Sequence, residues 1–413
     1  MQGKLVYALA VALTLLAGSA FAAGPVVAHT FVCDGSPSQT NAPCPNGAAP
    51  DALIQGSDGN FYGVALYSSE NPGSGGIVFS LTPAGKFTVL HTFVAGSSKT
   101  YANGEGPISL TEGPDDNLYG LTASGGNNGG DSQFGGYGVV FRISKTGTGF
   151  RVIHRFCSAA NCSDGSFGIG PLVLGSDGNI YGVTQEGGSA NDGAIFSVTP
   201  SSGTYEVVSS FSASDGIIPV GVAPAPDGTF YGITVNGDTL FHFDPAGGFQ
   251  SVKLAFPFPP GCDGLACFGL GQLVMGRNGN LYGLYTIYDI GGVGLFEVQP
   301  DGSDLRLYPE YESNSTALAT NGILLGSDGN LWLAGYNFGT NSGEIIALSP
   351  STGKVIRTLS PFSASAAVGA SPSTIIQTKN GILHGATYQG GVVSAGHFAG
   401  GTIFSLNLGL PAQ

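Results

Sequence analysis

The sequence predicts an all-β fold: a seven-bladed β-propeller with four antiparallel strands per blade, the last blade completed by the N-terminal strand. Three observations lead there. A phrase made of an Asp/Asn-Gly turn followed by an apolar-Tyr-Gly strand recurs seven times, starting at Gly56, Gly113, Gly175, Ala225, Gly276, Gly326 and Thr378. The steps between copies are 57, 62, 50, 51, 50 and 52 residues, and a period near 50 built from short strands marks a propeller or solenoid. The third observation lies at the ends. The last repeat stops after its third strand, while residues 26–31 (VVAHTF) match the fourth strand at 89–93 (VLHTF), so the two ends complete one sheet. Closure removes the exposed edges that an open stack would leave.

One repeat justifies the strand count. In the third copy, 172–174 is a short apolar strand, and 175–179 (GSDGN) is a tight turn whose Asp and Gly supply the unusual dihedrals. Residues 180–184 form the second strand and a Gly-rich connection, 185–193, leads to the third at 194–199. The chain turns at 200–203, and 205–211 is the fourth strand. Four antiparallel strands make one blade. Third strands of the same type begin at Ile77, Val139, Leu240, Leu295, Glu344 and Gly401.

The repeat runs through 23–413 as a single propeller domain. Residues 1–22 read as a secretory signal, with Lys4, an apolar core at 5–16 and a small-x-small cleavage site at Ala20-Phe21-Ala22. No later stretch is apolar enough to span a bilayer, so the mature protein is expected to be soluble, secreted or periplasmic, and monomeric. Six cysteines form three local pairs, each just after a strand ending in Phe: Cys33 with Cys44, Cys157 with Cys162, and Cys262 with Cys267. Disulfides that pin loops are the economical reading in an oxidising compartment, and Cys-x4-Cys without an accompanying His is a poor zinc set.

Of 413 residues 70 are Gly, 42% are hydrophobic and 10% are charged, too apolar for a disordered chain. The formal net charge is −14, and losing Lys4 with the signal makes it −15. Such a surface repels nucleic acid.

The layout resembles the Gloeo/Verruco ("GloVer") tandem-repeat family of exported bacterial proteins. Its pattern is DG-x-x-P, L-x-GSDGNLYG, a GG-rich loop, G-x-(V/I)-F-x-L-(T/S)-P and a strand ending L-H-x-F. The first element stands here at 46–50 (NGAAP), 103–107 (NGEGP) and 215–219 (DGIIP). The resemblance implies the fold and an exported location, and it implies no reaction and no catalytic residues.

Functional residues are expected on the face that carries the long connections between strands two and three and between strands four and one. On it, Asp164, Asp215 and Asp263 recur just before the inner strand, where they are expected to ring the channel mouth or to cap their turns. His397 lies with Phe398 in the longest loop of the seventh repeat, where no repeat rule demands a histidine. These four are the candidate catalytic groups. Aromatics including Tyr67, Tyr137, Phe268, Tyr388 and Phe398 offer a platform for a neutral sugar, with Tyr137, Phe268 and Phe398 the chosen ligand-binding set. Only Lys99 is a clear cation on this face, too little to neutralise a uronate polymer. The turn carboxylates Asp58, Asp177, Asp227 and Asp328 cap their own turns, so no metal site is expected, calcium is unsupported and no cofactor is implied. His29, His91 and His154 share one register on outer strands, where they pack, and His384 fills the slot held elsewhere by Tyr or Trp. No nucleophile elbow, zinc triad or phosphate loop is present. The sequence therefore points to a non-catalytic extracellular propeller that binds a glycan or protein. The alternatives are a secreted glycan hydrolase using loop-face carboxylates and a structural envelope component.

Overall fold

The structure is a computed structural model. It describes residues 24–34, 44–67, 75–93, 102–126, 135–236, 238–256, 268–287, 292–308, 323–337, 342–363, 365–394 and 396–413. Seven antiparallel sheets follow one another along the chain, each ordered from an inner to an outer strand. The first blade shows the pattern: Ala48–Gln55, Phe61–Tyr67, Ile77–Leu81 and Phe87–Thr92. In the seventh, Ala370–Gln377, Leu383–Gln389 and His397–Leu406 are followed in space by Val26–Asp34, whose residues pair with the third strand from Val26 opposite Ser405 to Asp34 opposite His397. The ring therefore closes as the sequence predicts.

The repeat signature has a packing reason. The Gly that follows the repeated Tyr, or follows His384 in the seventh blade, lies directly opposite the Phe of the third strand: Gly63 with Phe79, Gly120 with Phe141, Gly182 with Phe196, Gly232 with Phe241, Gly283 with Phe296 and Gly385 with Phe404. The ring covers the bare Cα. A Cβ on Gly182 would stand 2.5 Å from Phe196 Cζ and 2.8 Å from Leu172 Cδ2, inside any allowed contact. The sixth blade, which lacks this Gly, pairs Leu333 with Ile346 instead, two branched chains side by side.

The preceding Tyr serves the turn. Tyr62, Tyr119 and Tyr181 donate to Asp58, Asp115 and Asp177 at 2.8, 3.0 and 2.8 Å, while the same carboxylates accept the backbone N–H two residues on. Trp332 reaches Asp328 in the same way. Where the fifth repeat has Asn278 in place of Asp, Tyr282 turns to the buried Glu297, 2.8 Å away. These carboxylates are structural caps.

The apolar core lies between blades. One cluster joins Tyr62, Val64 and Val78 of the first blade to Leu118, Val139 and Phe141 of the second, and equivalent clusters continue round the ring. Burying such a side chain contributes about 2 kcal/mol. Near the rim, His29 stacks on Phe87, His91 on Phe150 and His154 on Tyr205, with ring centroids 3.8, 3.7 and 3.6 Å apart. Each histidine thus bridges two blades, and burial lowers the pKa of His29 and His91 to about 4. His384 packs against Phe61 across the seam where the ring closes.

Inner strands run longer than the apolar triplets suggest. In the third blade the strand is Ser166–Leu174, because the segment before the triplet also pairs, across a register shift between Ile169 and Val173. Just inside this strand the backbone enters the left-handed region, at Ala49, Phe167, Ile218 and Ser371. A β-branched residue there, as at Ile218, is strained. The kink aims an N–H at the preceding blade: Phe167 donates to Tyr137 O at 3.1 Å and Ile218 to Asp192 O at 3.3 Å.

Two of the expected disulfides are present, Cys33–Cys44 and Cys157–Cys162. The Cys262–Cys267 pair lies outside the described residues. Cys33 belongs to the closing strand, and Cys44 immediately precedes the first blade, so this bond crosses the closure seam.

Two outcomes are expected. Gly182→Ala should lower unfolding stability by about 1–3 kcal/mol in denaturant titration, whereas alanine at solvent-open Gly59, whose cost is backbone strain alone, should cost less. Replacing Cys33 and Cys44 together by Ser should cost about 2–3 kcal/mol, the value for closing a short loop, and should increase protease cutting within residues 26–34.

Candidate functional site

The inner strands enclose a central channel of about 610 Å³. Residues 51–54, 108–110, 169–171, 220, 271–272, 323–324 and 373–375 contribute to its wall, which is chiefly Leu, Ile, Val, Ala, Gly and Pro. Asp51 stands apart. Among the described lining residues it is the one that carries a charge. The equivalent repeat position holds Ile108, Gly170, Val220, Gly271 and Ser373 in other blades, so the scaffold does not demand a carboxylate there. Asp51 keeps part of its surface open to the channel while protein crowds its other sides. That crowding raises its pKa to about 6, because an ionised carboxyl is disfavoured away from water.

Asp51 lies three residues after Ala48, where the inner strand starts on the long-loop face. On that face two tyrosines meet across the closure seam. Tyr67, ending the second strand of the first blade, and Tyr388, near the end of the second strand of the seventh, have their hydroxyls 3.2 Å apart. Both rings are substantially exposed. Tyr388 titrates well above the ordinary phenol range, first through burial, then through the Tyr67 hydrogen bond and the neighbouring charges of Tyr67 and Asp51. The seam is fixed beneath them by Ser373, whose hydroxyl donates to Pro50 O at 2.8 Å. Asp51 of the apolar channel wall and this tyrosine pair are therefore near enough to interact electrostatically.

The sequence matches the Gloeobacter/Verrucomicrobia repeat over residues 15–243, more than half of the chain. The chain belongs to this family. No curated protein matches the sequence. Among solved structures, this Gloeobacter/Verrucomicrobia repeat protein is similar to virginiamycin B lyase from Staphylococcus aureus, with a TM-score of 0.55 and 12% identity over 91% of this chain and 97% of that one. The periplasmic gluconolactonase of Pseudomonas aeruginosa gives 0.52 and 15% identity, covering 84% and 97%. The extracellular domain of a chain from B. thetaiotaomicron described as a one component system gives 0.53 and 11% identity, covering 91% of this chain and 40% of that one. A lyase, a gluconolactonase and an extracellular domain of a one component system share the architecture, so the fold assigns no activity.

The repeat protein holds its sequence-predicted site residues in several places. Asp164 does not ring the channel mouth. Its carboxylate accepts from Ser158 N and Oγ at 2.9 and 2.6 Å and lies 3.0 Å from His154 Nε2, tying the Cys157–Cys162 loop to an outer strand. Asp215 likewise accepts from Ser212 Oγ at 2.6 Å and from Ser251 Oγ, on an outer strand, at 2.8 Å. Both side chains turn outward because only the segment beyond the left-handed kink reaches the channel. Asp263 lies outside the described residues. His397 opens a strand rather than sitting in a loop, and its Nδ1 is 3.0 Å from Asp34 Oδ1 at the exposed end of the closing pair.

Two of the three chosen aromatics, Tyr137 and Phe398, stand at different blade junctions. Phe398 packs against Cys33, Cys44 and Ala48. Tyr137 meets Phe167 edge-on at 5.1 Å, between the second and third blades. The backbone of Phe268 begins an inner strand of the fifth blade, and its side chain lies outside the described residues. Asp51 carries no motif, and only a column-by-column comparison of the repeats shows it as a lone carboxylate where the other described blades hold no acid. Asp238 is also pushed up to about 6 by burial, but it is not part of the channel wall. Among the described residues no three His, Cys, Asp or Glu side chains group as metal ligands.

The raised value for Asp51 fixes the sign of a stability test. Its charged form is disfavoured by the fold, so the native protein gains from this group as pH falls through about 6 towards the unfolded value of 3.8. Asp51→Asn should therefore be more stable than the parent at pH 8, by on the order of 2–3 kcal/mol, with the gap closing below about pH 4. The buried histidines titrate in both proteins and cancel in the comparison. Equal melting temperatures at pH 8 would contradict the burial of this carboxylate.

Proposed function

We propose that this protein is an exported, non-catalytic propeller that binds a ligand, a sugar or a peptide end, at the long-loop mouth of its central channel. The observation that carries this reading is the exposed Tyr67–Tyr388 pair across the closure seam, near enough to Asp51 of the channel wall to feel its charge. Exposed aromatic rings with a polar edge give large contact area at low conformational cost, and a few polar groups at the rim of an apolar cavity are the usual composition of a binding site. Two disulfides fit a location outside the cytoplasm, and no helix among the described residues is long and apolar enough to cross a membrane. Binding rather than hydrolysis is supported by the engagement of Asp164 and Asp215 in loop capping, which leaves them poorly placed to act as an acid and base pair across a glycosidic bond.

The test is a glycan and peptide array probed with the mature protein and with Tyr67→Ala and Tyr388→Ala. Binding by the parent should fall at least tenfold in either variant, the loss of roughly 1.4 kcal/mol. Retention of full binding by both variants, or its loss only in variants of Tyr137, would move the site elsewhere on the face.

A further inference from the structure

Beside the tight turns, on the face opposite the tyrosine pair, the second blade breaks the charge pattern of the repeat. In every blade the third-strand residue that faces the turn tyrosine, or its substitute, is itself paired with a residue of the fourth strand. Six blades place at most one Lys or Arg in that pair, as in Ser80 with Thr88, Ser197 with Glu206, and Glu297 with Arg306. The second blade sets Arg142 directly opposite Arg151. Opposite residues on antiparallel strands have Cβ atoms about 5 Å apart, and like charges so placed destabilise a sheet. The fifth blade, with an acid facing a base, shows that the scaffold does not require two cations here.

Little offsets this repulsion. Among the described residues Asp115 alone forms an ion pair with either arginine, 3.3 Å from Arg142 Nη2. Its carboxylate is already engaged in its own turn, accepting from Asn117 Nδ2 at 2.8 Å and from the Tyr119 hydroxyl at 3.0 Å. Arg142 Nε is buried without a hydrogen-bond partner. Burial and then Asp115 push the Tyr119 phenol up, while the charges of Arg142 and Arg151 act the other way, so both guanidiniums lie near its hydroxyl. The third blade supplies the facing side. A Cβ on Gly203 would stand 2.6 Å from Arg151 Nη2, so this turn glycine makes room for the guanidinium. Arg151 is exposed and the Arg142 side chain is 27% exposed, which leaves both within reach of a solute.

We infer that this groove between the second and third blades binds a small oxyanion, a phosphate or sulfate group, held across Arg142 and Arg151. Planar guanidinium forks donate paired N–H bonds to such oxygens. A dianion there offsets the repulsion between the two arginines, which a single turn carboxylate does only in part. The chain as a whole carries −14, but at physiological salt charges are screened beyond about 8 Å, so the nearby arginines set the local attraction.

The experiment is isothermal titration calorimetry on the mature protein with sulfate, inorganic phosphate, glycerol phosphate and acetate, the ionic strength being held constant with chloride. Sulfate and phosphate should bind at one site with Kd of about 1 mM or lower, and acetate at least tenfold more weakly. Tighter binding of glycerol phosphate than of phosphate would assign the group to an organic ester, and the reverse order to the free ion. Arg142→Gln and Arg151→Gln should each weaken sulfate binding at least tenfold. Arg155→Gln, on the same strand but with its Nε donating to Ala102 O, should bind as the parent does. If Arg142→Gln does not fold, the exposed Arg151→Gln decides. Sulfate should also raise the parent's melting temperature above its value in chloride of equal ionic strength, a rise that a merely structural arginine pair would not give and that Arg151→Gln should lose. Full sulfate binding by Arg151→Gln, acetate binding as tightly as sulfate, or no binding of any oxyanion would overturn the assignment.

Discussion

The contact on which this architecture depends is a phenylalanine ring laid over a bare α-carbon. Two strands of one sheet face each other at Gly63 and Phe79, and five further blades repeat the arrangement. The missing Cβ lets the ring lie flat across the middle of the blade, where it also meets the neighbouring blade. Phe141, for example, shares its cluster with Tyr62 and Val78. A larger residue at the glycine would force the ring out and separate two sheets at once. The sixth blade accommodates the absence of this pair with two branched chains, Leu333 and Ile346, and with Trp332 in the slot of the usual tyrosine. Interiors tolerate such exchanges when total volume is kept.

Around this contact the remaining signature residues divide the labour. The turn carboxylate holds its own loop and the following tyrosine, so the tight-turn face is a set of closed hydrogen-bond circuits. Adjacent circuits are linked: Ser57 donates through N and Oγ to Glu112 at 2.7 and 2.6 Å, and Ser327 N donates to Gln377 at 2.7 Å. Lys145 joins Glu112 and Asp116 in the first of these links. On the opposite face the left-handed kinks stitch one blade to the previous one through main-chain N–H groups. Strain at Ile218 persists because neighbouring structure over-determines it.

Much of the fold was legible because repetition samples each position several times. The turn, the Tyr-Gly strand and the aromatic end of the fourth strand each recur, so the match between residues 26–31 and 89–93 was enough to predict closure, and the recurrence of Cys after Phe was enough to pair Cys33 with Cys44 and Cys157 with Cys162. The site was less legible for the same reason. Recurring residues belong to the scaffold, and a ligand group is one that departs from the repeat. Asp51 has no counterpart in its column and carries no motif, whereas Asp164 and Asp215 recur because they cap loops. Side-chain direction in a loop follows no period, so nothing in the sequence distinguished an acid turned inward from one held by serines. The tyrosine pair was visible only as two of several loop-face aromatics, since 321 residues separate its members.

Closure by the N-terminal strand also orders events in time. Among the described strands, Val26–Asp34 is synthesised first, yet its partner His397–Leu406 is synthesised last. It must wait unpaired, with Val27, His29 and Phe31 uncovered, until His397–Leu406 has been made, and contacts of such long range make assembly slow. The tyrosine pair spans that same join. The pair therefore comes into being only when the closing sheet docks, and any molecule that prefers it draws the equilibrium toward the circularised form.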